Sequence, residues 1–215
     1  MEVCLENPLD AMPAQTAGAT RIELNSALKL DGLTPTLAAC RWLKNNCSLP
    51  LIAMLRPREG FYLAPQEQEI LLDDARLLLD AGVDGLAYGA LDRQGELNSE
   101  YMRQVVELCA EREVVCHRAF DRLADQKRGL EQLIDCGVRR VLTSGGAASA
   151  EQGLSRLAEL QCWSRGRIEV LPGGGVYAGN ARRIAQVSGC RQLHGTFRGN
   201  PREITALCHA IKGLS

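Results

Sequence analysis

The chain has 215 residues, 46% hydrophobic and 24% charged, with 25 Lys and Arg against 26 Asp and Glu. That composition supports a full folded core, and the even charge leaves no basic excess to hold a phosphate backbone, so nucleic acid is not an expected partner. The nine cysteines are odd in number, scattered and without a C-x-x-C pair, which argues against a disulfide framework or a zinc knuckle.

In chain order, the N-terminal stretch MEVCLENPLD carries acids where a secretion signal needs a basic start, and no apolar run approaches the ~18 residues of a membrane span. A cytoplasmic protein without a membrane partner is expected. A small residue, a glycine and a short residue then precede a strand four times over. These are Ala17-Gly18-Ala19 before RIEL, Ala81-Gly82-Val83 before DGLAYG, Cys136-Gly137-Val138 before RRVLTSG, and Ser188-Gly189-Cys190 before RQLHG. Each follows an amphipathic segment, so the glycine marks a helix end that turns into a strand. Their spacings of 64, 55 and 52 residues each hold two βα units of roughly 25–30 residues, so the four glycines mark four pairs and predict eight units. The intervening strands fall where this requires, at Glu2–Glu6, Leu51–Leu55, Val114–His117 and Ile168–Leu171. Helix starts are marked at Thr34-Pro35, Pro65, Asn98, Ser149 and Asn200-Pro201. The expected architecture is a single α/β domain over residues 1–215, a (β/α)8 TIM barrel, with a doubly wound open sheet as the alternative.

Strand alternation assigns the interior. Apolar side chains face the helices, which sends Val3, Leu5, Ile22, Leu24, Ile168, Val170 and Leu193 outward. Glu2, Cys4, Glu6, Glu23, Asn25, Glu169, Gln192 and His194 then point inward. Buried carboxylates need cations, and Arg21, Arg56, Arg58 and Arg118 are available. The arrangement reads either as an internal salt-bridge network or as a polar site at the C-terminal mouth, where barrel enzymes place their chemistry.

Two glycine-rich turns bear on that choice. Gly173, Gly174 and Gly175 follow strand seven, ahead of a helix beginning near Gly179-Asn180, and Thr143-Ser144-Gly145-Gly146 follows strand six. Both read as tight βα turns or as a cradle of N–H groups for an anion. His117, with Arg118 and Asp121 in CHRAFD, ends strand five. It and His194 are candidates for proton transfer or ligand binding, with hydrogen-bonded wall residues as the plainer reading. His209 reads as a surface or packing residue.

Together, GATRIELNSALKLDGLTPT (18–36), RPREGF (56–61), HRAFD (117–121), RVLTSGG (140–146) and PGGGV (172–176) resemble the CutC family of copper-homeostasis proteins over nearly the whole chain. The resemblance implies a cytoplasmic TIM-type barrel, self-association into a homo-oligomer, a link to copper tolerance, and Cu(I) binding through cysteine. Where the family commonly has cysteine after the RIEL strand, this chain has Asn25, a hard ligand poorly suited to Cu(I).

Two functional readings follow. One is a Cu(I)-handling protein using Cys4 and Cys116, with His117 as a further ligand; neighbours on a strand point to opposite faces, so Cys116 and His117 cannot share one ion without a bulge. The other is an enzyme acting on a small anionic or phosphorylated metabolite. There Arg56, Arg58 and Arg118 would clamp the anion, the turns at Thr143, Ser144, Gly145 and Gly173–Gly175 would cradle it with His194 nearby, and His117, Glu6 or Glu23 would move protons. A barrel kept only as a binding module is a third reading.

Overall fold

The computed structural model describes residues 1–197 and 200–211. Eight strand–helix pairs alternate along the chain: β1 (Glu2–Leu5), α1 (Ala11–Thr16), β2 (Arg21–Leu24), α2 (Leu37–Asn46), β3 (Leu51–Met54), α3 (Pro65–Asp80), β4 (Gly85–Tyr88) and α4 (Ser99–Cys109) form the first half. The second half is β5 (Glu113–Cys116), α5 (Gln126–Asp135), β6 (Arg140–Thr143), α6 (Leu154–Ser164), β7 (Glu169–Pro172), α7 (Ala178–Ser188), β8 (His194–Thr196) and α8 (Pro201–Ile211). The strands are parallel and run in the order β7-β6-β5-β4-β3-β2-β1-β8. Among the described residues no ladder joins β7 to β8, so the barrel is closed on all seams but that one. This is the expected (β/α)8 barrel, not an open doubly wound sheet, which would place helices on two faces of an unclosed sheet.

The four repeated glycines do what their spacing predicts. Gly18, Gly82, Gly137 and Gly189 have φ of 102°, 89°, 83° and 72° at the ends of α1, α3, α5 and α7, a conformation that a Cβ disfavours. The predicted helix starts hold at Pro65, Asn98 and Asn200-Pro201. They fail at two places. Helix α2 is capped by Thr36, whose hydroxyl accepts from the Ala39 N–H, because Thr34 is engaged with the Arg56 backbone instead. Ser149 caps only a local turn, accepting from the Gln152 N–H, and α6 starts at Leu154.

Two apolar cores result from the alternation. The larger lies between strands and helices and takes Val3, Leu5, Ile22, Leu24, Ile168, Val170 and Leu193, as the strand parity requires. The smaller fills the barrel itself with Ile52, Met54, Ala87, Val115, Leu142 and Leu171, all from β3 to β7. The interior is therefore divided. Strands β3 to β7 line it with apolar groups, while β8, β1 and β2 line it with Glu2, Cys4, Arg21, Glu23 and His194, all buried. Below the apolar layer Arg140 bridges Glu113 at 2.8 Å and Glu169 at 2.9 Å. At that end the internal salt-bridge reading is the right one, since the ions are paired and structural. Among the described residues, no helix is long and apolar enough to cross a membrane.

Candidate functional site

A cavity of about 630 Å³ opens where the strands end, and the segments following β2, β3, β5, β6 and β7 wall it. On one side stand Cys4, Glu23 and His194. Adjacent strands bring them together: Cys4 is paired with Glu23 across β1–β2 and with Thr196 across β1–β8. The Cys4 sulfur, a Glu23 carboxylate oxygen and a His194 ring nitrogen all lie within 4.8 Å of one another.

Neighbouring groups fix each of the three. His194 Nδ1 lies 2.7 Å from Glu2 Oε1, and Arg21 pairs with the other Glu2 oxygen, so the ring is held with Nε2 turned to Glu23 Oε2 at 3.8 Å. Asn25 Nδ2 donates to Glu23 Oε2 at 2.9 Å and to Cys4 Sγ at 3.2 Å. Among the described residues, Glu23 Oε1 is buried without a partner. Burial alone would raise the Glu2 pKa, but His194 and Arg21 hold it down at about 2. Burial, with the Glu2 charge alongside, raises Glu23. His194 is opposed by burial too, yet the Glu23 and Glu2 carboxylates raise its pKa above the usual value. Burial and the Glu23 charge push the Cys4 thiol well up.

Across the barrel stand His117, Arg118 and Asp121, carried by the end of β5 and the 3-10 turn Arg118–Arg122. His117 Nδ1 accepts from the Ala119 N–H at 3.2 Å, so its proton sits on Nε2, which is buried and, among the described residues, unpartnered. Burial and the nearby Arg56 charge lower its pKa to about 3. The ring is thus a fixed neutral donor rather than a proton carrier. Asp121 binds the β6 loop: its carboxylate accepts from Thr143 Oγ1, from the N–H groups of Ser144 and Gly146, and from Arg118 Nε at 2.7 Å. Arg118 Nη2 also donates to Ser144 Oγ at 3.0 Å, and the Arg118 side chain keeps 40% of its surface exposed, free to meet a ligand. Arg56 is buried; it donates to the carbonyls of Leu30, Gly32 and Gly60 and lies 5.0 Å over the Phe61 ring.

Gly174 and Gly175, with φ of 95° and 70°, line the cavity just before α7. Among the described residues their N–H groups have no protein acceptor. Gly173 differs, because its N–H is committed to the Thr143 carbonyl at 3.0 Å and it does not line the cavity.

The comparisons with known proteins agree with this geometry. The family model described as "CutC family" matches residues 1–199. The chain belongs to the CutC family. A CutC family protein of Treponema denticola is 40% identical over 195 residues, which cover 90% of this chain and 79% of that one. The human relative, named copper homeostasis protein cutC homolog, is 39% identical over 199 residues, covering 92% and 73%. The crystal structure of CutC from Streptococcus agalactiae superposes with a TM-score of 0.85 at 29% identity, covering 90% of this chain and 96% of that chain. An aldolase, QR15, superposes with a TM-score of 0.69 at 14% identity over 99% of this chain and 96% of that one, a likeness of fold alone.

Within this CutC barrel the residues expected at the mouth divide. Cys4, Glu23, Arg56, His117, Arg118, Gly174, Gly175 and His194 line the cavity. Glu6 does not: β1 ends at Leu5, the alternation stops there, and Glu6 is exposed. Arg58 lies on the surface, paired with Glu67 at 2.6 Å, because the chain has left β3 and no periodicity aims it inward. Thr143, Ser144 and Gly145 support the wall rather than face a ligand; Gly145 N–H donates to Thr143 Oγ1 and both hydroxyls are taken. Cys116 is fully buried on the outer face of β5, in the core against the helices, its sulfur 3.6 Å from the His117 carbonyl oxygen. The structure therefore does not bring Cys4 and Cys116 together. Sequence reasoning missed Met54, Asp31, Phe61, Arg122 and Thr196 among the lining residues; of these, Met54, inward by parity from Ile52, and Thr196, inward by parity from His194, left a readable signal.

Proposed function

We propose that this CutC barrel binds a small anionic metabolite in its mouth, held between a donor wall and a reactive wall. The single observation that carries the reading is that His117 Nε2–H and Glu23 Oε1 are buried, unpartnered polar atoms of residues lining the same cavity from opposite sides. A fold keeps such atoms unsatisfied at a cost of ~1–3 kcal/mol each unless something else meets them. The partly exposed Arg118 and the unengaged N–H groups of Gly174 and Gly175, ahead of the α7 N-terminus, supply positive potential beside His117. Arg56 contributes charge from behind while its own N–H groups hold the loops.

The test is calorimetric titration of the metal-free protein with inorganic phosphate and with a small sugar phosphate. Binding that falls in Arg118→Ala and His117→Asn, and is unchanged in Arg58→Ala, supports the reading. Equal binding in all four proteins, or none in the wild type, refutes it.

Copper handling is the second reading, favoured by Cys4, which faces the same cavity beside His194, and by the names of the human and mouse relatives. Copper would be cargo, taken as Cu(I). The donor set suits that ion poorly. Soft Cu(I) favours paired thiolate or thioether ligands; among the described residues the cavity lining offers one thiol, Cys4, with Asn25 beside it, and one thioether, Met54, packed in the inner apolar core, while Cys116 lies behind β5. Anaerobic Cu(I) titration against a competing chelator decides the matter: one tightly held ion per chain, lost in Cys4→Ser and kept in Cys116→Ser, would restore this reading.

A further inference from the structure

The geometry points to a binding site for one divalent cation of the zinc class, formed by Cys4, Glu23 and His194, with a remaining position open to the cavity. The donor types come first. One sulfur, one imidazole and one carboxylate form a borderline set, the mixture that zinc takes in sites with three protein ligands and one position left for water or substrate. All three ligand atoms fall within 4.8 Å of one another. The 3.8 Å between His194 Nε2 and Glu23 Oε2 is close to the roughly 3.3–3.5 Å edge of a tetrahedron built on 2.0–2.2 Å bonds.

The surroundings are those of a ligand set held ready. Glu2 engages His194 Nδ1 at 2.7 Å and leaves Nε2 toward the cluster, the carboxylate–imidazole arrangement that orients metal-binding histidines. Asn25 bonds both Glu23 and Cys4, fixing two ligands at once. Glu23 Oε1, buried and unpartnered, is an independent sign that something belongs there. The ligands also stand on three neighbouring strands rather than on loops.

Charge selects the class of ion. With Cys4 as thiolate and Glu23 as carboxylate, the cluster carries two negative charges; Arg21 compensates Glu2, not these. A dication neutralises the pair, whereas Cu(I) would leave one buried negative charge unmatched, a costly state in a site only 2–4% exposed at Glu23 and Cys4. This deepens the reading of a small-molecule site, because the open position faces the space where the anion would lie. It is tested without any anion, so that either idea can fail alone.

Reduced, chelator-stripped protein is titrated with Zn²⁺ and with Co²⁺ against a chromogenic competitor, and with Cu(I) in parallel. One Zn²⁺ per chain is expected, together with a thiolate-to-cobalt charge-transfer band that disappears in Cys4→Ser. Glu2→Gln keeps all three ligands and alters the group that orients His194 and pairs Arg21, so in protein that retains the wild-type fold it should weaken Zn²⁺ by roughly 10–100-fold. A wild-type protein that takes up no Zn²⁺, or binds Co²⁺ without the sulfur band, overturns the proposal, and neither result depends on a variant folding. Zn²⁺ affinity unchanged in folded Cys4→Ser overturns it as well.

Discussion

The pH dependence of stability offers a direct measure of how His117 is used. A histidine in the unfolded chain takes up its proton near pH 6.5. In the folded protein burial, aided by the Arg56 charge, delays that event to about pH 3. Between these values the unfolded state binds more protons than the folded one, so the stability present above pH 6.5 is lost as pH falls. The slope is about 1.4 kcal/mol per pH unit well below 6.5, so moving from pH 7.5 to 4.5 should cost about 3 kcal/mol through this residue alone. His117→Asn isolates that contribution. An asparagine oxygen can still accept from the Ala119 N–H, which preserves the cap on the following turn, but it does not titrate. Urea unfolding of both proteins at the two pH values cancels the shared carboxylates in the difference. The wild type should lose about 3 kcal/mol more than the variant; equal losses would show that His117 is protonated normally in the fold and is not the neutral donor inferred above.

Two other substitutions probe the walls. Asp121→Asn removes an acceptor used by Thr143, Ser144, Gly146 and Arg118. It should cost ~1–3 kcal/mol in chemical denaturation and weaken phosphate binding by loosening the β6 loop; binding that survives at full strength would remove Asp121 from the account. Cys116→Ser places a hydroxyl in the apolar layer between β5 and its helices, lowering the unfolding free energy by ~1–3 kcal/mol while leaving metal affinity unchanged. A loss of metal binding there, in folded protein, would mean that β5 contributes its outer face to a site.

Period-two alternation made the polar wall legible. Cys4, Glu23 and His194 read as inward residues of three strands, but the sequence paired Cys4 with Cys116, and it is the adjacency of those strands in the barrel that gathers the three into one cluster. Alternation ceases at a strand end, and there the reading failed. Glu6 continues the inward parity on paper, but β1 stops at Leu5. Arg56 and Arg58 share a loop and differ only in which carbonyls and carboxylates lie near: Arg56 meets three carbonyls inside, and Arg58 meets Glu67 outside. Likewise, Thr34 has a capping side chain, yet it bonds the Arg56 backbone and leaves the cap to Thr36. Such choices rest on contacts between segments far apart in sequence, which no local pattern records.

The divided interior also places a mechanical demand on β8. This strand has three residues, pairs with β1 alone among the described residues, and borders the one seam without a ladder. Its ladder partner β1, and β2 beyond it, offer no apolar layer inside the barrel for it to pack against, since the inner core belongs to β3 to β7. What anchors it inward is the bond from His194 to Glu2, across a pair of register neighbours, with Arg21 closing the other Glu2 oxygen. A buried, charge-assisted bond of this kind can hold a short strand that its ladder alone would let open. Glu2→Met, close in volume but without the carboxylate, should therefore raise amide hydrogen exchange selectively at His194, Gly195 and Thr196, while the β4–β5 ladder keeps its protection. If exchange rises uniformly instead, Glu2 contributes to global stability only. If it does not rise, the β1–β8 ladder is sufficient, and the polar wall is free to serve ligand binding without also closing the barrel.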